Sequence, residues 1–165
     1  AHLGHARTYV CTDMMRRILV RQMGRDVAFL LGVTDVDDKI IARAAHLEVH
    51  PLDLARMYEQ RFFEDMDALN VLRPTGLARV SEHVGAVVDY VAGIQRNGFA
   101  YATADGVYFD TRALGDAYGR LAPGDSLEEQ RPGDGDVTAE RGKRDARDFA
   151  LWKAAKPGEV AWESP

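Results

Sequence analysis

The chain has 165 residues, a formal net charge of −5, and 46% hydrophobic against 28% charged residues. That balance excludes a wholly disordered chain, and apolar runs as short as Val27–Leu31 exclude a transmembrane helix. A single cysteine, Cys11, excludes an internal disulfide and a Cys-only metal site, and points to a reducing compartment.

The acidic total argues against a surface that coats a polyanion. Residues 1–26 nevertheless carry five arginines against two aspartates, a local +3 that leaves −8 for the rest. An arginine-rich solvated helix face is the plain reading of that segment. The chain starts at Ala1, and Ala161–Pro165 stop without a cap or polar tail. Both ends read as cut, so a piece of a longer protein is expected.

In chain order, Tyr9, Val10, Met14, Met15, Ile18, Leu19 and Met23 recur every three to four positions, which predicts a helix over 5–23 closed by Gly24. Val27–Leu31 predicts a strand buried on both faces, as in a parallel sheet, with a turn over 32–38. A second helix is expected over 38–48, with Ile40, Ile41, Ala44, Ala45 and Leu47 inward. A third starts at Pro51 and runs to about 69, with Leu54, Tyr58, Phe62, Met66 and Leu69 on one stripe. Residues 73–76 read as a break, and 80–97 as a fourth helix closed by Asn97-Gly98. The period changes to two over 99–110, where Asp105-Gly106 marks a hairpin. Residues 120–147 hold only three large aliphatics among six basic and seven acidic residues, and read as a mobile surface loop. Order is expected to resume at Asp148–Trp152. These elements describe an α/β start with an inserted α+β piece.

Two stretches carry chemistry. His2-Leu3-Gly4-His5 opens the first helix. Positions i and i+3 share a face, so both imidazoles should stand where unpaired N–H groups and the helix dipole attract an anion. Phosphate is the usual guest there, and Gly4 lets a base or ribose approach the backbone. The ensemble suits a nucleotide triphosphate cradle without a P-loop. Capping or merely exposed histidines, or a metal-binding pair, are the alternatives. Thr34-Asp35-Val36-Asp37-Asp38-Lys39 follows the strand, at the carboxyl end where open α/β sheets bind ligands. Thr34 offers a hydroxyl to a substrate. Asp35, Asp37 and Asp38 either cap the next helix or contact a substrate amine or an ATP-borne Mg²⁺.

His2-Leu3-Gly4-His5-Ala6-Arg7-Thr8-Tyr9 resembles the HIGH signature of class I aminoacyl-tRNA synthetases, and Gly32–Ile41 narrows the resemblance to cysteinyl-tRNA synthetases. Gly106–Asp110 with Tyr118–Leu121, and Asp148–Lys153 through Pro157-Gly158-Glu159 to Trp162–Pro165, agree in collinear order across the chain. The resemblance implies a partial Rossmann-type (HUP-like) nucleotide-binding domain over 1–72. A connective insertion would follow over 73–165, with a helix, a β-hairpin and a flexible loop at about 120–147. It implies ATP-dependent activation of cysteine and its transfer to tRNA(Cys), in the cytosol or an organelle, without a membrane partner. His2, Leu3, Gly4 and His5 match the ATP-binding motif, and its histidines hold the phosphates in the transition state. Thr34 matches a residue of the cysteine pocket. Mg²⁺ accompanies ATP in the family, and zinc binds the substrate thiolate, rejecting serine because an alcohol is a poor zinc ligand.

The family's zinc ligands match nothing here. They belong before the HIGH-type motif and in a Trp-His-x-Glu-Cys stretch and a following Glu beyond Pro165. Cys11 fits none of them and reads as a core or half-buried thiol. The Lys-Met-Ser-Lys-Ser loop and the anticodon-binding region are also absent, so the 165 residues alone are expected to be inactive. Gly32 stands where many relatives carry Asn. Mycothiol-pathway cysteine ligases resemble the same two stretches but follow the turn with Pro, where this chain has Lys39-Ile40-Ile41. A non-catalytic truncated paralogue is the remaining alternative, and the retained His2 and His5 count against it.

Overall fold

The computed structural model describes residues 2–120 and 142–164. Two compact units divide the chain, Ala1–His83 and Val84–Pro165.

In the first unit, helix α1 covers Leu3–Arg21. His2 is its N-cap, in extended conformation, and its Nδ1 accepts the His5 N–H at 3.4 Å. Gly24 takes φ +59 after the helix end, as its sequence position predicts. Strand β1 is Leu30–Val33. It starts three residues later than Val27–Leu31 predicted and is not buried on both faces. Leu30 and Gly32 are exposed while Leu31 and Val33 are half-buried, because successive side chains face opposite sides and only one side of β1 is covered.

That partner, β2 (Gly76–Arg79), runs parallel to β1 with Leu30 opposite Gly76 and Val33 opposite Arg79. The crossover is made by α2 (Asp38–His46) and α3 (Pro51–Ala68). A parallel pair needs such a crossover. Asp37 caps α2, accepting the Ile40 N–H at 2.7 Å, and Pro51 sits in the first turn of α3 as expected. The buried side chains are Ala44 from α2 and Leu54, Ala55, Phe63 and Met66 from α3. Tyr58 and Leu69, expected inward, are 50% and 45% exposed, since Ala55 and Phe63 shift the buried stripe around α3. Ala45 and Leu47 are likewise exposed.

Residues 73–76, read as a break, lead directly into β2. A Cβ at Gly76 would lie 2.9 Å from Leu30 Cδ2, so a larger residue would push that exposed side chain aside. The first compact unit continues to His83.

The second unit begins with α4 (Val84–Arg96), and the first residues of the expected 80–97 helix, Val80–Glu82, form a 3-10 turn instead. Strands β3 (Ala100–Thr103), β4 (Gly106–Phe109) and β5 (Phe149–Lys153) make an antiparallel sheet in that order. The hairpin loop is Ala104-Asp105, one residue earlier than Asp105-Gly106 suggested. Gly106 instead opens β4 at φ +149, where a Cβ would lie 2.2 Å from the Trp152 carbonyl oxygen. A short helix α5 (Thr111–Leu114) follows.

Buried Asp148 ties this unit together. It accepts the Tyr101 hydroxyl at 2.6 Å, the Thr111 N–H and hydroxyl at 3.0 and 2.8 Å, and the Asp145 N–H at 3.1 Å. The expected mobile loop falls mainly on 121–141, outside the described residues. Its tail, residues 142–147, forms a hydrogen-bonded turn in which Asp145 pairs with Arg112 and Arg147.

Candidate functional site

The site sits where the crossover puts it, at the carboxyl end of β1. Val33 ends the strand, Thr34 follows exposed, and Asp35 turns inward to 2% exposure. Asp35 accepts the Ser81 N–H at 2.9 Å and the Ser81 hydroxyl at 2.5 Å. This bond set joins the loop after β1 to the turn after β2. Asp37 is occupied as the α2 cap. The three aspartates therefore divide: Asp35 latches, Asp37 caps, and Asp38 begins the helix where its charge suits the dipole.

A cavity of about 570 Å³ opens at this point. Its walls are apolar, with Tyr9 of α1, Leu31 and Val33 of β1, Ile40 of α2, and Leu54 and Phe62 of α3. Thr34, Asp35, Asp37, Lys39, Arg43 and Glu59 supply its polar groups. Mostly apolar walls with a few convergent polar groups are the usual form of a small-molecule site. Glu59 is held by Arg79 through two contacts of 2.7 and 2.8 Å. Burial raises its carboxyl above the ordinary range, and Asp35 and Glu82 add to this against Arg56.

The His2 and His5 rings stack with centroids 3.7 Å apart and planes 24° from parallel. Both are exposed at the N-terminus of α1. Since His2 Nδ1 accepts the His5 N–H, its Nε2 is left as the donor. Gly4 lets the His2 ring lie close over the helix start, where a Cβ would be 3.1 Å from it. Leu3 is 87% exposed. The structure thus brings His2 and His5 together, and neither lines the cavity around Thr34. Tyr9, one turn below His5, links the two by lining that cavity. Cys11 is half-buried.

Most of the arginine-rich segment lies elsewhere. Arg16 is 14 residues from His2, about 21 Å along a helix. Arg16 and Arg17 are bonded into the turn at 70–75 and form neither a free basic face nor part of the histidine end. The sequence reading missed Tyr9, Lys39, Arg43 and Glu59 as cavity residues. Lys39 and Arg43 carried a signal in their i, i+4 spacing on α2. Among the described residues no group of three or more His, Cys, Asp and Glu side chains could hold a metal ion.

Comparison with known proteins identifies the family of the chain. The model of the tRNA synthetases class I (C) catalytic domain matches residues 1–165, and the chain belongs to that family. It is 46% identical to the cytoplasmic cysteine–tRNA ligase of Dictyostelium discoideum, across all of this chain and 26% of that protein. It is 47% identical to a probable mitochondrial cysteine–tRNA ligase of Xenopus tropicalis, over 100% of this chain and 28% of the relative. A cysteine–tRNA ligase of Anaeromyxobacter sp. is 48% identical, over 100% and 34%. The chain spans about a quarter to a third of the length of these relatives. Among the described residues no helix is long and apolar enough to cross a membrane.

Proposed function

We propose that this chain supplies the phosphate-holding end and part of the amino-acid pocket of a cysteine–tRNA ligase, acting in the cytosol or an organelle. The observation that carries the reading is the stacked His2–His5 pair capping α1 in a chain of this family. The first unit corresponds to the first half of the Rossmann-type domain, and the second to most of its connective insertion.

The cysteine carboxylate attacks the α-phosphorus of ATP in line, forming the acyl–phosphate bond as pyrophosphate leaves with the electron pair. Negative charge spreads over the phosphate oxygens. The α1 N–H groups, His2 Nε2 and the His5 ring are donors fixed where that charge develops, so they favour the transition state over the ground state. No side chain needs to exchange a proton in this step. Thr34, at the cavity mouth, offers its hydroxyl to cysteine. The adenylate is then consumed by the terminal adenosine of tRNA(Cys).

ATP would bring Mg²⁺, and zinc would supply a thiolate bond that rejects serine. Among the described residues no group of three or more His, Cys, Asp and Glu side chains is placed to hold zinc. The test is amino-acid-dependent ATP–pyrophosphate exchange by the protein that carries this segment. Exchange with cysteine and none with serine is expected. Exchange driven by another amino acid and not by cysteine would refute the reading.

A further inference from the structure

Helix α1 turns a polar face inward. Asp13 is buried, while Met15, Ile18 and Met23 are 61%, 52% and 56% exposed. Asp13, Arg16 and Arg17 stand at i, i+3 and i+4, on one face, and all three reach the turn between α3 and β2. Asp13 Oδ1 accepts the Leu72 N–H at 3.2 Å, and its Oδ2 accepts Arg17 Nε at 2.6 Å. Arg17 also donates to the Asn70 carbonyl at 2.7 Å, and Arg16 to the Arg73 carbonyl at 2.7 Å. Asn70 makes the corner of this turn at φ +56.

The turn is itself fastened to the strand. Thr75 N–H donates to the Phe29 carbonyl at 2.7 Å, and the Thr75 hydroxyl accepts the Phe29 N–H at 3.0 Å, just before β1. A chain of hydrogen bonds therefore runs from α1 to the sheet. Apolar packing would tolerate rotation or sliding of the helix, whereas these directional bonds weaken steeply when misaligned. A helix rises 1.5 Å per residue, so the eight residues from Asp13 back to His5 form a rod about 12 Å long. Its setting at the clamp sets the position of the histidine end.

We propose that Asp13, Arg16 and Arg17 are positioning residues that fix the phosphate-holding end of α1 against the sheet. The assignment rests on the reading of His2 and His5 given above. The three side chains touch no substrate and act through the helix. Thr34 lies on the strand side of the clamp while Tyr9 of α1 lines the same cavity, so loss of the clamp should weaken cysteine binding less than it disturbs the phosphate-holding end.

The experiment measures cysteine-dependent ATP–pyrophosphate exchange in the ligase that carries this segment, with rates divided by active sites titrated as bound adenylate. Arg17→Ala and Asp13→Ala should lower kcat per active site by about 10- to 100-fold, and raise the cysteine KM by a distinctly smaller factor. Arg17→Lys, which keeps the charge but not the fork, should recover part of the loss and covers the case in which Asp13→Ala fails to fold. His5→Ala is measured alongside. If it loses kcat while the Arg17 variants keep theirs, the clamp fails alone. If His5→Ala keeps wild-type kcat, the reading of α1 fails and the clamp with it.

Discussion

Asp35 and Ser81 are 46 residues apart in sequence and joined twice in the structure, through the Ser81 N–H and its hydroxyl. The pair locks the loop after β1 to the turn after β2. Its position beside Thr34 makes it a structural base for the cavity wall. Asp35→Ala leaves a part-buried N–H and hydroxyl without their acceptor. It should cost about 3 kcal/mol, by the usual worth of hydrogen bonds to a charged group and the penalty of an unmet donor. Asp35→Asn keeps one acceptor oxygen and should cost about half as much. Urea unfolding of the first unit, followed by circular dichroism, checks both.

Gly106 faces a different constraint. Its φ of +149 is open to glycine alone, and a Cβ would overlap the Trp152 carbonyl. Gly106→Ala should destabilise the second unit by more than about 2 kcal/mol. Hydrogen exchange should show lost protection in β4 and β5 together. Protection unchanged in β5 would mean that the strands can part without cost.

These two cases show what was legible beforehand. The helices were visible because their apolar positions recur at helical spacing, and His2 with His5 because a short motif acts within one turn. β2 was not visible: Gly76–Arg79 has no strand pattern, and its pairing with β1 depends on a crossover that brings together residues 46 apart. The role of Asp35 was open for the same reason, since Ser81 is distant in sequence. Asp13, Arg16 and Arg17 looked like a solvated face because their partners are backbone carbonyls and a backbone N–H, which leave no compositional trace. The hairpin loop shifted by one residue because β5, not the turn, requires the glycine.

The second unit should be acid-sensitive. Burial works to raise the Asp148 carboxyl, but the bonds from Tyr101 and Thr111 outweigh it and hold it below the ordinary range. Bonds from Arg147, with Arg112 beside it, hold Asp145 lower still. Both groups bind protons less readily folded than unfolded, so their stabilisation is present above about pH 4 and lost as pH falls through the folded values. Tyr101 behaves oppositely. Burial and its bond to Asp148 raise its hydroxyl, so that contribution is lost above about pH 10. Trp152 and Trp162 both lie in this unit, so tryptophan fluorescence reports its melting. Tm should be flat near neutrality and fall at both ends, and Asp148→Asn should flatten the acid limb. An acid limb unchanged by that substitution would remove Asp148 from the explanation.

The outer face of α1 should tolerate charge. Met15 and Ile18 are more than half exposed, so Met15→Lys and Ile18→Lys should change stability by no more than about 0.5 kcal/mol in the 165-residue chain. Removing contiguous exposed apolar surface should also reduce self-association. Light scattering and thermal melting of the two variants check this. A large fall in Tm would mean that this face packs against something within the chain.

The central claim is that the paired histidines at the start of α1 hold ATP phosphates as charge develops on them. The most direct measurement is kcat and the ATP KM of His5→Ala in cysteine-dependent exchange, made in the ligase that carries this segment. Loss of a donor aimed at the transition state should lower kcat and kcat/KM together by about 100-fold. An unchanged kcat with only a raised ATP KM would contradict it, leaving His5 as a residue that merely binds.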